Sequence, residues 1–215
     1  DLEQFRPPLM AERQAIRASL DLAEGDFVIL NVARLSREKG QRVLLEALAL
    51  LLKRAPETRL LVLGDGPDRD ELEALAHRLK VTERVCFLGV SHNVSRVLGA
   101  ADVFAFPSLG EGLGIALMEA MAVGLPVVAA ASDGIRELVI DGVDGSLVPA
   151  NDPVALADAI LRIRTDPEVR RSLGEEARRS AARRFDAGIG VRKLEATYMD
   201  FLSRSAPAGA QGSAA

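Results

Sequence analysis

Across 215 residues the chain has one cysteine, two histidines, one tyrosine and no tryptophan. Three nitrogen or sulfur ligands in all are too few for the usual His/Cys metal centres, so no metal is expected. Cys86 lies in the apolar run "VCFLG" and reads as a buried, inert thiol. Aromatics make up 4% of the chain, which leaves no platform for stacking bases. The net charge of −4 and pI near 5.4 supply no basic footprint, so nucleic acid is excluded as a partner. No apolar run approaches the roughly 20 residues of a membrane span, and no leader peptide is expected. A cytoplasmic protein follows as the expectation. The chain opens on Asp1, and "DLEQFRPP" reads as a segment entered midway through a longer protein.

What is present is 48% hydrophobic residues against 27% charged, enough for a sizeable core. Short apolar runs alternate with amphipathic stretches, the pattern of a parallel sheet with crossover helices. Strands are predicted at Phe27–Ala33, Arg59–Leu63, Arg84–Leu88, Val103–Phe106, Pro126–Ala131 and Ser146–Val148. Helices are predicted at Gly40–Arg54, Arg69–Lys80, Asn93–Ala100, Gly114–Val123, Gly134–Val139, Pro153–Thr165, 166–185 and Val191–Ser203. The fold class is therefore α/β, a doubly wound, Rossmann-like parallel sheet of six strands with helices on both faces. One domain is expected over residues 1–204, followed by a flexible Ala/Gly/Ser/Pro tail over 205–215.

Ligands of such sheets bind at the carboxyl ends of the strands, which narrows attention to the loops found there. "NVARLSREKG" carries Arg34 and Lys39 just before a helix whose first N–H groups are unpaired. On this loop alone a diphosphate site and plain solvated charge stand level. "GDGPD" lacks the third glycine of a dinucleotide fingerprint, since Arg69 stands in its place, and reads as a turn. Ser132 in "ASDGIRE" is a fitting helix cap, with Glu137 solvated beyond it. His77 reads as a surface residue. The arginines at 170, 171, 178, 179, 183 and 184, interleaved with Glu168, Glu175 and Glu176, read first as a solvated helix face. Peripheral contact with an anionic membrane, at its inner face, is the second reading.

The stretch "SLGEGLGIALMEAMAVGLPVVAAAS" raises the sharper question. Between Gly110 and Ala131 everything is small or apolar except Glu111 and Glu119, and no Lys or Arg is near enough in sequence to pair with either. An unpaired buried carboxylate is costly. Glu111 falls in a loop above the sheet and Glu119 about two turns into the next helix, where both can face one cleft. A carboxylate accepts hydrogen bonds at two oxygens and so matches neighbouring hydroxyls on a sugar ring. Two carboxylates for two polyol rings, with Arg34 and Lys39 for a diphosphate between them, describe a nucleotide-sugar.

These segments, "ARLSREKG", "LLVLGDGP", "RVCFLG" and above all the Glu-x7-Glu spacing inside "PSLGEGLGIALMEAMAVGLPVVAA", resemble the retaining glycosyltransferases of the GT4 family, with the GT-B fold. The likeness runs over nearly the whole chain and implies specific roles. Arg34 and Lys39 would bind the donor diphosphate, Glu111 the donor sugar and Glu119 the ribose hydroxyls. Backbone N–H groups at Gly112, Leu113 and Gly114 would reach sugar or phosphate, and Val90, Ser91 and His92 would cradle the base. One departure is Asp133–Gly134, where the family usually has Gly-Gly. The resemblance covers only a carboxy-terminal, donor-binding half of a GT-B enzyme, so an amino-terminal acceptor domain of the same enzyme is an expected partner. It implies transfer of sugar from a nucleotide-diphospho-sugar with retention of anomeric configuration, without cofactor or metal. A nucleotide-sugar epimerase and a non-catalytic nucleotide-sugar-binding or partner-binding module are the alternatives.

Overall fold

The computed structural model describes residues 1–91 and 93–205, so His92 and residues 206–215 lie outside the described residues. Its strands are β1 Phe27–Val32, β2 Thr58–Leu63, β3 Val85–Gly89, β4 Val103–Phe106, β5 Val127–Ala130 and β6 Ser146–Val148. The α-helices among the described residues are α1 Met10–Ser19, α2 Gln41–Leu51, α3 Arg69–Arg78, α4 Val94–Leu98, α5 Ile115–Val123, α6 Asp133–Leu138, α7 Pro153–Thr165, α8 Pro167–Arg184 and α9 Ala187–Ser205. Every strand pair is parallel, in the order β3-β2-β1-β4-β5-β6. The doubly wound sheet expected from the apolar pattern is the sheet observed.

Side chains alternate across the sheet and build two cores. Ile29, Val62, Ala105 and Val128 face the layer of α2, α3 and α7. Val28, Leu30, Phe104 and Ala129 face the layer holding α5 and α8. Val28, Ile29 and Leu30 have no exposed surface, and each such side chain contributes about 1.5–3 kcal/mol on burial. Two Asp-Pro pairs start the last core helices. Asp152 accepts from the N–H groups of Val154 and Ala155 at 3.0 and 2.9 Å, and Asp166 from those of Glu168 and Val169 at 3.0 and 3.1 Å. The prolines behind them sit where a helix has no N–H to lose.

Four details depart from the sequence reading. Cys86 is half-buried, because β3 is an edge strand. The last helix begins at Ala187 and runs to Ser205, so Ser205 closes a helix instead of opening a tail. Arg184 does not belong to a solvated face. Its guanidinium donates to the carbonyl of Leu138 at 3.0 Å and to that of Glu137, and lies 3.5 Å from the fully buried Asp144. Its neighbours Arg171, Arg179 and Arg183 do pair on the surface with Glu168, Glu175 and Glu176.

The fourth departure is α1, which the sequence reading did not anticipate. Its inward anchor is a cation. Arg17 is 9% exposed and donates to the carbonyls of Ala100, Ala23 and Asp26 at 3.0, 3.0 and 2.6 Å. It also pairs with Asp102 at 3.3 Å, which takes Arg13 at 2.8 Å and the Val28 N–H at 2.8 Å. The pairing ties α1 to the start of β4. Removing one partner of such a buried group strands the rest, at a cost of about 2–4 kcal/mol. Urea denaturation of Arg17→Met is expected to show that loss. A variant within about 0.5 kcal/mol of the parent would make α1 an ornament.

Candidate functional site

The strand order reverses direction between β1 and β4. From β1 the chain winds outward to β3, then crosses back through α4 to lay β4 on the other side of β1. That reversal opens a crevice at the carboxyl ends of the two strands. The β1–β4 ladder comprises Ile29↔Val103 and Leu30↔Phe104. At the next position a side chain takes over from backbone pairing. The amide of Asn31, with no exposed surface, donates from Nδ2 to the Ala105 carbonyl at 2.9 Å. Gln41, the first residue of α2, donates from Nε2 to Asn31 Oδ1 at 3.4 Å and to the Arg34 carbonyl at 3.0 Å. Asn31 and Gln41 therefore tie the loop after β1 to the floor of the crevice. The sequence reading passed over both, although an asparagine inside "FVILNVA" is itself a signal, because a buried amide needs partners.

A second set of bonds closes the loop after β1 onto the loop after β4. The Glu38 carbonyl accepts from the Leu109 N–H at 2.8 Å and the Ser108 hydroxyl at 3.2 Å. Gly40 stands at φ +72°, and a Cβ there would lie 2.2 Å from the Pro107 carbonyl oxygen. From the far side the "GDGPD" turn is bound to the same loop, with the Leu35 N–H on the Asp65 carbonyl at 3.0 Å and the Asp68 N–H on the Leu35 carbonyl at 3.1 Å. The turn is a buttress for the Arg34 loop.

With the loops closed, the partner missing from the sequence appears. Lys39 Nζ donates to Glu111 Oε1 at 2.7 Å, across 72 positions of chain, with the two side chains 21% and 11% exposed. Arg34 stands exposed on the same loop, and its guanidinium has no hydrogen bond among the described residues. Glu38 bonds its own neighbour: the Ser36 hydroxyl donates to it at 2.6 Å and holds its carboxyl below the ordinary range. The helix α6 abuts Glu111 from below. A Cβ on Gly134 would come within 2.0 Å of the Glu111 carbonyl oxygen, so the close approach requires glycine there. Ser132 occupies the cap position, but its hydroxyl goes to the Ser108 carbonyl at 3.2 Å instead of capping α6.

Gly112 and Leu113 are exposed, and Gly114, at φ +59°, turns the chain into α5. The Gly114 carbonyl accepts from Leu117 and Met118, which leaves the N–H groups of Ile115 and Ala116 without a partner among the described residues. Those N–H groups carry the positive end of the helix. Because α5 begins at Ile115, Glu119 stands about one turn inside it and not two. Glu119 is half-buried, facing a cavity of about 140 Å³ lined by Asp1, Leu2, Phe5, Ile115, Met118 and Phe185 and by none of Arg34, Lys39 or Glu111, with which it was expected to share one cleft. Burial raises its carboxyl above the ordinary range. Glu111 is thus spent on a cation while Glu119 has no hydrogen bond in the described chain. At the other expected wall Val90 is 72% exposed and the Ser91 hydroxyl accepts from the Asn93 N–H at 3.0 Å. His92 lies outside the described residues. No three of the described His, Cys, Asp or Glu side chains gather to hold a metal ion.

Residues 12–180 match the family described as glycosyl transferases group 1. The chain is 36% identical over 200 residues to a putative glycosyltransferase EpsD of Bacillus subtilis, covering 93% of this chain and 52% of that protein. It is 41% identical over 197 residues to a D-inositol 3-phosphate glycosyltransferase of Xylanimonas cellulosilytica, covering 86% and 46%. Among solved structures, Anabaena Alr3699/HepE in complex with UDP and glucose superposes with a TM-score of 0.86 at 30% identity, over 93% of this chain and 54% of that one. The chain spans about half the length of the relatives it matches.

The closure of the two loops makes one direct prediction. Gly40→Ala places a methyl group against backbone at a positive φ, which is expected to cost about 1–3 kcal/mol in urea denaturation. An unchanged midpoint would mean that the loop is not held by Pro107.

Proposed function

The chain belongs to the group 1 glycosyl transferases, and from that premise we propose that it is the donor-binding half of a retaining glycosyltransferase, holding a nucleotide-diphospho-sugar in the β1/β4 crevice. The observation that carries the reading is the meeting of Lys39 and Glu111 from two loops, one of which also bears Arg34, exposed and without a hydrogen bond among the described residues, while the other leads into α5. A leaving diphosphate gathers negative charge as the bond to the anomeric carbon breaks. Preorganised donors at that place lower the barrier and need no metal to do so. Arg34 suits the diphosphate through its planar fork of N–H groups, and Lys39 as a point charge on a flexible stem.

The remaining roles are part of the same proposal. Glu111 beside Lys39 lies where the sugar next to the diphosphate would sit, and takes a sugar hydroxyl. Glu119, with no hydrogen bond among the described residues, takes the ribose diol. The exposed turn at Val90 and Ser91 borders the base. The acceptor side is assigned to an amino-terminal domain of the same enzyme, and two bare surfaces support that assignment. Leu113 and Ile115, at the turn into α5, are 61% and 57% exposed. Val191, Leu194, Tyr198, Phe201 and Leu202 of α9 form an apolar stripe, each more than half exposed. On this reading the chain alone binds donor and does not turn over.

The test is calorimetry of the chain with UDP, GDP and ADP. One of these is expected to bind and to raise the melting temperature as RT ln(1 + [L]/Kd) requires. Arg34→Ala is expected to weaken that ligand about tenfold or more, as loss of a charged contact does. Glu119→Gln separates the roles further: it should weaken the nucleoside diphosphate while leaving inorganic pyrophosphate unchanged. Only the ionised Glu119 accepts from both diol hydroxyls with full charge-assisted strength, and its carboxyl is raised. Affinity should therefore fall on acidification at a higher pH than an ordinary carboxylate would give. No binding of any of the three would remove the donor-site assignment. Equal losses for pyrophosphate and nucleoside diphosphate in Glu119→Gln would move Glu119 away from the ribose.

A further inference from the structure

The two cations of the crevice are in different states. Arg34 is exposed and unpartnered among the described residues, whereas Lys39 is already bonded to Glu111 at 2.7 Å in a pair largely withdrawn from solvent. Lys39 has three N–H donors and one of them is on Glu111, so a diphosphate that recruits it sets two anions on one cation and weakens that bond, at a burial where neither group regains full hydration. What happens to Glu111 then depends on the ligand. An intact nucleotide-sugar offers it a hydroxyl of the adjacent ring, so both members of the weakened pair find new partners. A bare nucleoside diphosphate offers Glu111 nothing, and places two phosphates next to its carboxylate.

Resting on the donor-site reading above, we propose that Glu111 competes with the diphosphate for Lys39, so that the pair discriminates the intact donor from the spent nucleoside diphosphate and hastens product release. Lys39 is shared between two anions, and the sugar decides which one holds it. Once the sugar has left, the Lys39–Glu111 bond regains its strength against the product. The pair thus acts as a return spring built into the site. The loop bonds from Glu38 to Ser108 and Leu109 keep its two halves within reach throughout the cycle.

The experiment compares calorimetric affinities for uridine 5′-diphosphate and UDP-glucose in four forms of the full chain: parent, Glu111→Gln, Lys39→Met and the double variant. Melting curves check that each form is folded. Glu111→Gln is expected to bind UDP about tenfold more tightly than the parent, and UDP-glucose no more tightly. In the Lys39→Met background the same change should yield a clearly smaller gain, because the contested cation is gone and only repulsion between carboxylate and phosphate is left. UDP bound no more tightly by Glu111→Gln would overturn the proposal. So would an equal gain with and without Lys39, which would mark simple repulsion between carboxylate and phosphate. A parent chain that binds GDP or ADP in place of UDP takes the same test with that nucleotide. A parent that binds none of them fails the donor-site reading itself, and this inference with it.

Discussion

A parallel sheet that winds one way from β1 and then crosses back must part its chain between β1 and β4. The rest of the site is a response to that parting. Backbone pairing gives way beyond Leu30↔Phe104, and the Asn31 amide spans the gap to Ala105. Gln41 then carries the connection up to the Arg34 carbonyl, and Glu38 bonds across to Ser108 and Leu109. These neutral bonds lie in a dry floor, where an unmade one is expensive. They hold in place the few charged groups above them, so the electrostatics of the crevice rest on uncharged amides and carbonyls.

Much of this was legible in the sequence, for physical reasons. Strands buried on both faces show as unbroken apolar runs, and "FVILNV", "VFAF" and "VVAA" were found within a residue or two of their ends. Helices opened by Asp-Pro announce themselves, as at Pro153 and Pro167. Arg34, Lys39, Glu111 and Glu119 stood out by exception, as charge or carboxylate where the pattern calls for apolar or loop residues. What was missed is tertiary. Glu111 has no cation near it in sequence, because its partner Lys39 arrives from 72 residues away through a loop closure. Helix α1 carries no clear apolar stripe, since its anchor is Arg17 on three carbonyls and Asp102. Arg184 looked like one more surface arginine and proved to grip the end of α6 and Asp144.

The proposed partner domain would account for two exposed apolar surfaces. Apolar side chains at Leu113, Ile115 and along α9 are surfaces that a soluble monomer does not usually leave uncovered. They lie at the turn into α5 and on the final helix, where a facing domain would meet them.

The most direct measurement is a two-dimensional amide NMR titration of the chain with a nucleoside diphosphate, which reports the binding place residue by residue. The largest shifts are expected on residues 34–40 and 112–116, the two loops that meet at Lys39 and Glu111, with the amide side chains of Asn31 and Gln41 moving in step. Shifts confined to another surface, with these two loops silent, would contradict the donor-site assignment.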